Sequence, residues 1–479
     1  MQTRSRILLT LTGLTSFAFG DGLNHQSVNQ VYQQLCLSCH GAHGEGGIGG
    51  SLIDGNWAYG GSDLEIAAVI RDGVVDQGMP AYGQTLDEKM IRGLVVHLRE
   101  LSHKEEQKQN PPPSPSPNQA VQSNHHLFKI EKVVDAPDRS FWSVNFLPDQ
   151  SLLLSDFKGE VLLHRDGRLS PPVQSTPEVW RIGQGGLLDV VPHPKYEENG
   201  WIYLSFAELR GVDSRNRPVG ATTIVRGKIR DGVWVNQEII FEVSDRFLHH
   251  SGLHFGCRIV FQDDYLFFSL GDRGPHDNAQ DLSSPYGKIH RIHLDGSIPS
   301  DNPFVDQPSA FPSIYSLGNR NPQGLAISPL TGELWETEHG PRGGDEVNII
   351  RKGLNYGWPK ITHGINYNGR PYTDLTSAPG FESPVIYWVP SIAVCGMDFL
   401  KSNQFPAWDG DLFVGGLRSQ QLHRLKIEQD RIVEEEILFK GLGNVRDIAG
   451  GPDGFLYAAI NLGQETGGAI YRLVPASTD

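Results

Sequence analysis

Cysteine is scarce in this sequence: four among 479 residues, too few for a disulfide framework in a chain of this size. A basic excess is missing as well. Lys and Arg total 41 against 56 Asp and Glu, an acidic balance that argues against a nucleic-acid footprint. No G-x-G-x-x-G follows a strand into a helix, so a nicotinamide or flavin site of the Rossmann type is not supported. Methionine is rare too, with four copies, so one placed on a loop stands out as a candidate ligand. What is plentiful is glycine (55) and proline (31), high for a helical protein and suited to many turns between short strands. The length calls for two domains or one large repeat domain.

Residues 1–20 read as a signal peptide. Arg4 and Arg6 give a positive start, 7–19 an apolar stretch, and Ala18-Phe19-Gly20 a small-x-small cleavage site. A retained anchor is disfavoured because the apolar run is short and carries several Thr and Ser, so no membrane span is expected after cleavage. Residues 36–40 read CLSCH. In a secreted chain, Cys36 and Cys39 suit thioether bonds to the two vinyl groups of a haem, and His40 suits its iron. The alternative, a zinc or redox C-x-x-C, lacks a second cysteine pair to complete a zinc site. Such haem attachment occurs outside the bacterial inner membrane, so both signals point to the periplasm.

Met79-Pro80 in DQGMPAYG is the expected sixth ligand, since flanking Gly and Pro allow the rigid loop a thioether needs. His43 and His97 are its competitors. The surrounding pattern is helical. Val28, Val31, Tyr32 and Leu35 form one stripe, and Ser62 with Glu65 and Thr85 with Glu88 form capping boxes. The last helix carries Met90, Ile91, Leu94, Val95, Leu98 and Leu101. Residues 21–105 resemble class I cytochromes c: a small all-α domain carrying haem c.

Residues 106–124 contain PPPSPSP and lack an apolar pattern, and read as a linker that is stiff where proline-rich. Residues 125–479 then repeat one theme six times, an apolar residue leading through a Pro/Asp/Gly turn into an apolar strand. The copies are 146–156, 190–206, 259–272, 325–338, 397–417 and 448–461. This predicts an all-β six-bladed propeller, with 127–134 as the strand that completes the last blade.

Polar strings lie between these repeats: GQGGLLDV (183–190), HFGCR (254–258), LGDRG (270–274), LGNRNPQG (317–324), EHGPRGGDE (338–346), NYGWP (355–359) and VRD (445–447). They supply an imidazole (His254), guanidiniums (Arg320, Arg418, Arg446), amides (Gln184, Asn321) and carboxylates beside Gly-rich backbone (Asp345, Glu346). Converging on one channel, such a set suits a planar polyanion with a neutral histidine as proton acceptor. Taken singly, each has a blander reading: a solvated arginine, or a turn.

With LGNRNPQG, EHGPRGGDE and NYGWP in this order, residues 127–475 resemble the soluble quinoprotein glucose/sorbosone dehydrogenases, particularly the bacterial aldose sugar dehydrogenases. The resemblance implies pyrroloquinoline quinone (PQQ) as cofactor, assisted by Ca²⁺. It implies His254 as the base that takes the anomeric hydroxyl proton, and Arg320 and Asn321 at the quinone edge. Gln184, Tyr367, Gly416, Leu417, Arg418, Asn444, Val445 and Arg446 fall on positions that contact PQQ. Glu346 and the Tyr356 carbonyl match one Ca²⁺ site, and the Gly340 and Pro341 carbonyls match the Ca²⁺ that polarises the quinone.

Two departures stand out. Leu253 replaces an acid before the histidine, so His254 needs another orienting group, and Asn444 replaces an arginine. His249 and His250 read as a solvated loop, and Cys257 and Cys395 as either free thiols or a disulfide. The expected function is a periplasmic quinohaemoprotein that oxidises an aldose, or a related aldehyde, and passes electrons through its haem to a downstream acceptor. The alternatives are a sorbosone-like aldehyde dehydrogenase and a non-catalytic propeller carrying an electron-transfer cytochrome.

Overall fold

The computed structural model describes residues 20–463 and 466–477. Residues 1–19, which carry nearly all of the expected signal peptide, lie outside them. The described residues form an α-helical unit followed by six antiparallel sheets.

In the helical unit, α1 (Val28–Leu35) and α2 (Leu37–His40) carry the haem motif, α3 (Asp63–Asp72) follows, and α4 (Glu88–Gln109) closes the unit. Ser27 caps α1 with Gln30, and Ser62 caps α3 with Glu65, each as a reciprocal capping box. The expected Thr85–Glu88 box is not formed. Asp87 caps α4 instead, its carboxylate accepting from Met90 N at 2.8 Å, while Glu88 makes a bidentate pair with Arg71 at 2.7 Å per bond. A carboxylate is the stronger cap, and it frees Glu88 for that pair. The buried stripe of α1 (Val28, Val31, Tyr32) meets Met90, Ile91, Leu94 and Val95 of α4 in one core.

Each sheet is a blade. Every expected repeat is the first hairpin of a blade, running from the innermost strand to the second. Innermost strands are Phe141–Phe146, Leu187–Pro192, Ile259–Gln262, Pro322–Ile327, Val394–Phe399 and Asn444–Gly450; we number their blades 1 to 6. Each touches its neighbour on both sides, so the ring closes. Leu127–Ala136 pairs with Gly468–Pro475 and joins the N-terminal end of the ring to the last blade, which removes the open edge a ring would otherwise have. Six apolar clusters fill the clefts between adjacent blades.

The stretch read as a linker is more ordered than its composition implies. Helix α4 runs to Gln109, the Pro113 carbonyl accepts from Lys440 N at 2.7 Å, and Ala120–Gln122 adds a fifth strand to blade 6. Pro113 can be held at the end of a blade 5 strand because its carbonyl accepts from that strand's N–H, although a proline offers no donor of its own.

Candidate active site

In every blade the first strand starts, and the second ends, at the same end of the ring. His254, Arg320 and Gln184 precede the first strands of blades 3, 4 and 2. Asp272 and His339 follow the second strands of blades 3 and 4. The topology therefore delivers these residues to one end of the central channel.

His254 is buried and holds a left-handed backbone (φ 51°), an uncommon conformation for a non-glycine residue and one that concentrates at functional sites. Its main-chain N–H donates to Gln184 Oε1 at 2.8 Å. Its Nδ1 lies 2.6 Å from Asp272 Oδ1. Asp272 is completely buried, and also accepts from Gly274 N (2.8 Å), His276 Nδ1 (2.8 Å) and Trp358 Nε1 (2.9 Å). Despite its burial, these donors and the facing His254 hold it far below the usual carboxylate range. With Nδ1 donating to Asp272, Nε2 is left as the basic nitrogen, and among the described residues nothing bonds to it. Burial lowers the His254 pKa, against the opposing pull of Asp272, so the ring is neutral at neutral pH. The orienting group that Leu253 cannot supply is Asp272. Gly271 permits this approach, since a Cβ there would collide with the His254 carbonyl and lie 2.8 Å from Asn321 Oδ1.

Arg320 faces the same space. Its Nη1 donates to the carbonyls of His339 (3.1 Å) and Gly340 (2.8 Å), and its main-chain N–H donates to the Glu338 carboxylate. The guanidinium lies 5.3 Å from the Trp358 ring and 5.9 Å from Tyr367. Its Nε, and Nε2 of neighbouring His339, are buried with no partner among the described residues. Beside Arg320, Glu338 pairs across the sheet with Glu346, and Glu336 with Asn348. Burial raises the pKa of all three glutamates, Glu346 to about 8; repulsion from the neighbouring glutamates adds to it at Glu336 and Glu338, and from Asp345 at Glu346. A small cavity of about 10 Å³, room for one water or one ion, lies between Arg320, Glu338, His339, Glu346, Tyr356 and Trp358. The closely spaced carboxylates of Glu338 and Glu346 suit a hard divalent cation, with the Arg320 guanidinium as a neighbour in the same lining. Among the described residues no three Asp, Glu, His or Cys side chains form a complete metal-ligand set, so carbonyls and water would have to complete the shell. The other carbonyl pair expected to bind Ca²⁺ has protein donors: Gly340 takes Arg320, and Pro341 takes Ser391 Oγ at 3.2 Å.

The remaining expected residues divide. Asn321 is buried with Oδ1 3.3 Å from Gln323 Nε2. Arg446 Nη1 reaches Gln323 Oε1 (3.3 Å) and Cys395 Sγ (3.4 Å), contacts that leave most of its donors to spare. Gly416 ends a strand paired with Val394, and Leu417 N donates to the Ala393 carbonyl at 2.9 Å. Arg418 is exposed. Asn444 and Val445 pair with Asn461 and Ile460. Tyr367 is 65 % exposed at the rim. His249 and His250 stand apart, engaged with Ser251 N and Arg217, and Cys257 and Cys395 are buried free thiols.

At the helical unit, Cys39 N and His40 N both donate to the Cys36 carbonyl, at 3.1 and 2.9 Å, so the motif closes in one turn. His40 Nδ1 meets the Gly50 carbonyl at 2.8 Å, which leaves Nε2 for a metal. Met79 is held by a two-way backbone bridge to Val74 (2.9 and 3.1 Å), and with Leu52, Trp57 and Tyr82 lies partly buried around the helical core. His97 is a core histidine, edge-on to Tyr32 at 5.1 Å, and His43 is exposed.

Two family models match the chain, each to one unit: glucose/sorbosone dehydrogenase over residues 136–472, and cytochrome c oxidase, cbb3-type, subunit III over residues 24–98. The chain belongs to the glucose/sorbosone dehydrogenase family. This dehydrogenase is 39 % identical to the aldose sugar dehydrogenase YliI of Escherichia coli over 72 % of its own length and 92 % of that protein. It is 28 % identical to quinoprotein glucose dehydrogenase B of Acinetobacter calcoaceticus over 64 % and 67 %. The apo crystal structure of the soluble E. coli aldose sugar dehydrogenase superposes with a TM-score of 0.67 at 36 % identity, covering 73 % of this chain and all of that one.

Sequence reasoning missed Asp272, Trp358 and His339 as members of the site. Asp272 and Trp358 stand in strings singled out for their polarity, LGDRG and NYGWP, and His339 stands in EHGPRGGDE. What the strings do not carry is the pairing of Asp272 with a histidine eighteen residues before it.

Proposed function

We propose that this oxidoreductase is a periplasmic quinohaemoprotein that oxidises an aldose at its anomeric carbon and delivers the electrons to its own haem c. The observation that carries the reading is a buried His254, oriented by Asp272 with Nε2 left over, in the same channel end as Arg320. PQQ is the cofactor the donors fit: the unpartnered Arg320 Nε and His339 Nε2, exposed Arg418 and under-used Arg446 suit a planar polycarboxylate. Bound there, PQQ supplies an ortho-quinone that accepts hydride.

The protein's part is proton handling and positioning. His254 Nε2 takes the proton from the anomeric hydroxyl, and Asp272 holds the ring and stabilises the imidazolium that forms. Arg320 offers positive charge where an oxyanion develops. Trp358, Tyr367 and Tyr372 wall the space and limit water, Trp358 and Tyr372 meeting edge-on at 5.3 Å. Ca²⁺ is assigned to the Glu338–Glu346 cavity with help from the Tyr356 carbonyl. Haem c belongs on Cys36 and Cys39, with His40 and Met79 as iron ligands. The kinship of this chain to a quinoprotein glucose dehydrogenase and to an aldose sugar dehydrogenase supports the cofactor and substrate class. No described helix is long and apolar enough to cross a membrane.

Product analysis tests this. The haem-loaded protein reconstituted with PQQ and Ca²⁺, given glucose and an artificial dye, should yield the lactone. Turnover of simple aldehydes without turnover of any aldose would instead favour the sorbosone-like reading.

A further inference from the structure

The helical unit sits on the loop that forms one side of the propeller's site. Ile365, a propeller residue, is fully buried in the helical core rather than in any cleft between blades. Val28 N donates to the Gly369 carbonyl at 2.9 Å, and Arg92 Nη2 to that of His363 at 3.2 Å. Gly93 faces Pro371 so closely that a Cβ would lie 2.7 Å from its Cγ. Arg342 ties these contacts together. Its backbone pairs with Ile365 in both directions at 2.9 Å, while its side chain grips Glu100 of α4 through Nε (2.8 Å) and Nη2 (2.5 Å).

The same segments reach the site. Gly340, two residues before Arg342, holds the Arg320 guanidinium. Tyr367, two residues after Ile365, presents its ring to that guanidinium. On the far side, Glu100 Oε2 lies 3.9 Å from His97 Nδ1. His97 meets Tyr32, and the Tyr32 hydroxyl donates to the Gly41 carbonyl at 2.8 Å, next to His40. Unbroken contact thus runs from the haem motif to Arg320.

We propose that Arg342 and Glu100 form a clamp that keeps the haem-bearing domain docked and thereby fixes loop 363–371 beside Arg320. The cytochrome domain is then a positioning part of the propeller's site, and the proline-rich segment is a strap along blade 5, not a tether for a mobile shuttle. The pair is bidentate and largely shielded, with side chains 25 % and 18 % exposed, the geometry in which an ion pair holds well. The role in cofactor binding rests on the function proposed above; the clamp itself does not.

Hydrogen–deuterium exchange on the full-length, haem-loaded protein decides the matter, comparing wild type with Glu100→Gln, Arg342→Gln and the reversed pair Glu100→Arg/Arg342→Glu. Haem absorption and helical circular dichroism identify folded variants; Glu100→Gln alone suffices if the arginine variant fails. Amides of 363–371 should exchange roughly tenfold faster in each single variant, and the reversed pair should return them to within about threefold of wild type. PQQ affinity, read by tryptophan quenching, should weaken and recover in parallel. Unchanged exchange in a folded Glu100→Gln protein overturns the clamp, as does a reversed pair no better protected than the single variants. Wild-type protein that binds no PQQ while exchange follows the expected pattern overturns the site assignment and upholds the clamp.

Discussion

The two reactive ends of this molecule are built in opposite ways. The haem end is local: two thiols and an imidazole lie within five residues, and one helical turn brings them together. The propeller end is dispersed. Gln184, His254, Asp272, Arg320 and Trp358 come from three blades and a long loop, and meet only because every blade starts its first strand at the same end of the ring. A local site needs short-range hydrogen bonds to be right, such as His40 Nδ1 to Gly50. A dispersed one needs the whole ring closed, and each member locked by buried partners. Asp272 shows the cost in partners, since it uses four donors from three segments.

Substitutions at the two ends should therefore fail differently. The largest effect is expected at His254→Ala: sugar oxidation falls by about 10⁴-fold with the haem spectrum intact. Asp272→Asn should cost about 10³-fold in kcat, because the ring loses both its tautomer and the charge facing its imidazolium. The pH profile sharpens this. His254 must be neutral to act, and burial holds its pKa below the ordinary 6.5. Wild-type kcat/KM should thus rise with pH through a value below 6.5 and stay flat above it. Asp272→Asn removes the group that raises that pKa, so the acid limb moves lower still; a limb moving upward would break the assignment.

Smaller effects follow elsewhere. Stripping Ca²⁺ with a chelator should lower the propeller's Tm by about 5 °C, since the ion's binding energy is lost and the Glu336, Glu338 and Glu346 cluster must take up protons in its place; a Tm that ignores chelator and added Ca²⁺ alike would remove the cation from that cavity. At the local end, Met79→Ala should lower the haem potential in a redox titration, because thioether ligation raises it. The smallest change is Ser62→Ala, which breaks the α3 capping box and should cost about 1 kcal/mol in denaturant unfolding of the helical unit.

How much of this could be read from the chain follows the same division. CLSCH, the α3 capping box and the six hairpins were legible because each is a short-range pattern with its own period or turn chemistry. His254 and Arg320 were reached through resemblance, and the structure brings them to one end of the channel. Asp272 was not legible, because its role depends on where two blade ends meet. The hydrogen bonds that the Gly340 and Pro341 carbonyls accept from Arg320 and Ser391 depend on side-chain reach that no spacing encodes. At 106–124 composition suggested only a linker, stiff where proline-rich, and did not carry the hydrogen bond to the Pro113 carbonyl or the short strand that fasten it to the propeller. Thr85 lost its capping role to Asp87 two residues later, a competition the capping-box pattern does not weigh.

The most direct test joins the two ends. The haem-loaded protein, reconstituted with PQQ and Ca²⁺ and mixed anaerobically with one equivalent of aldose, should show the reduced-haem absorption band rising with sugar. The band should fail to appear on the same timescale in His254→Ala, while added chemical reductant still produces it. Haem reduction at the wild-type rate in His254→Ala would contradict the account.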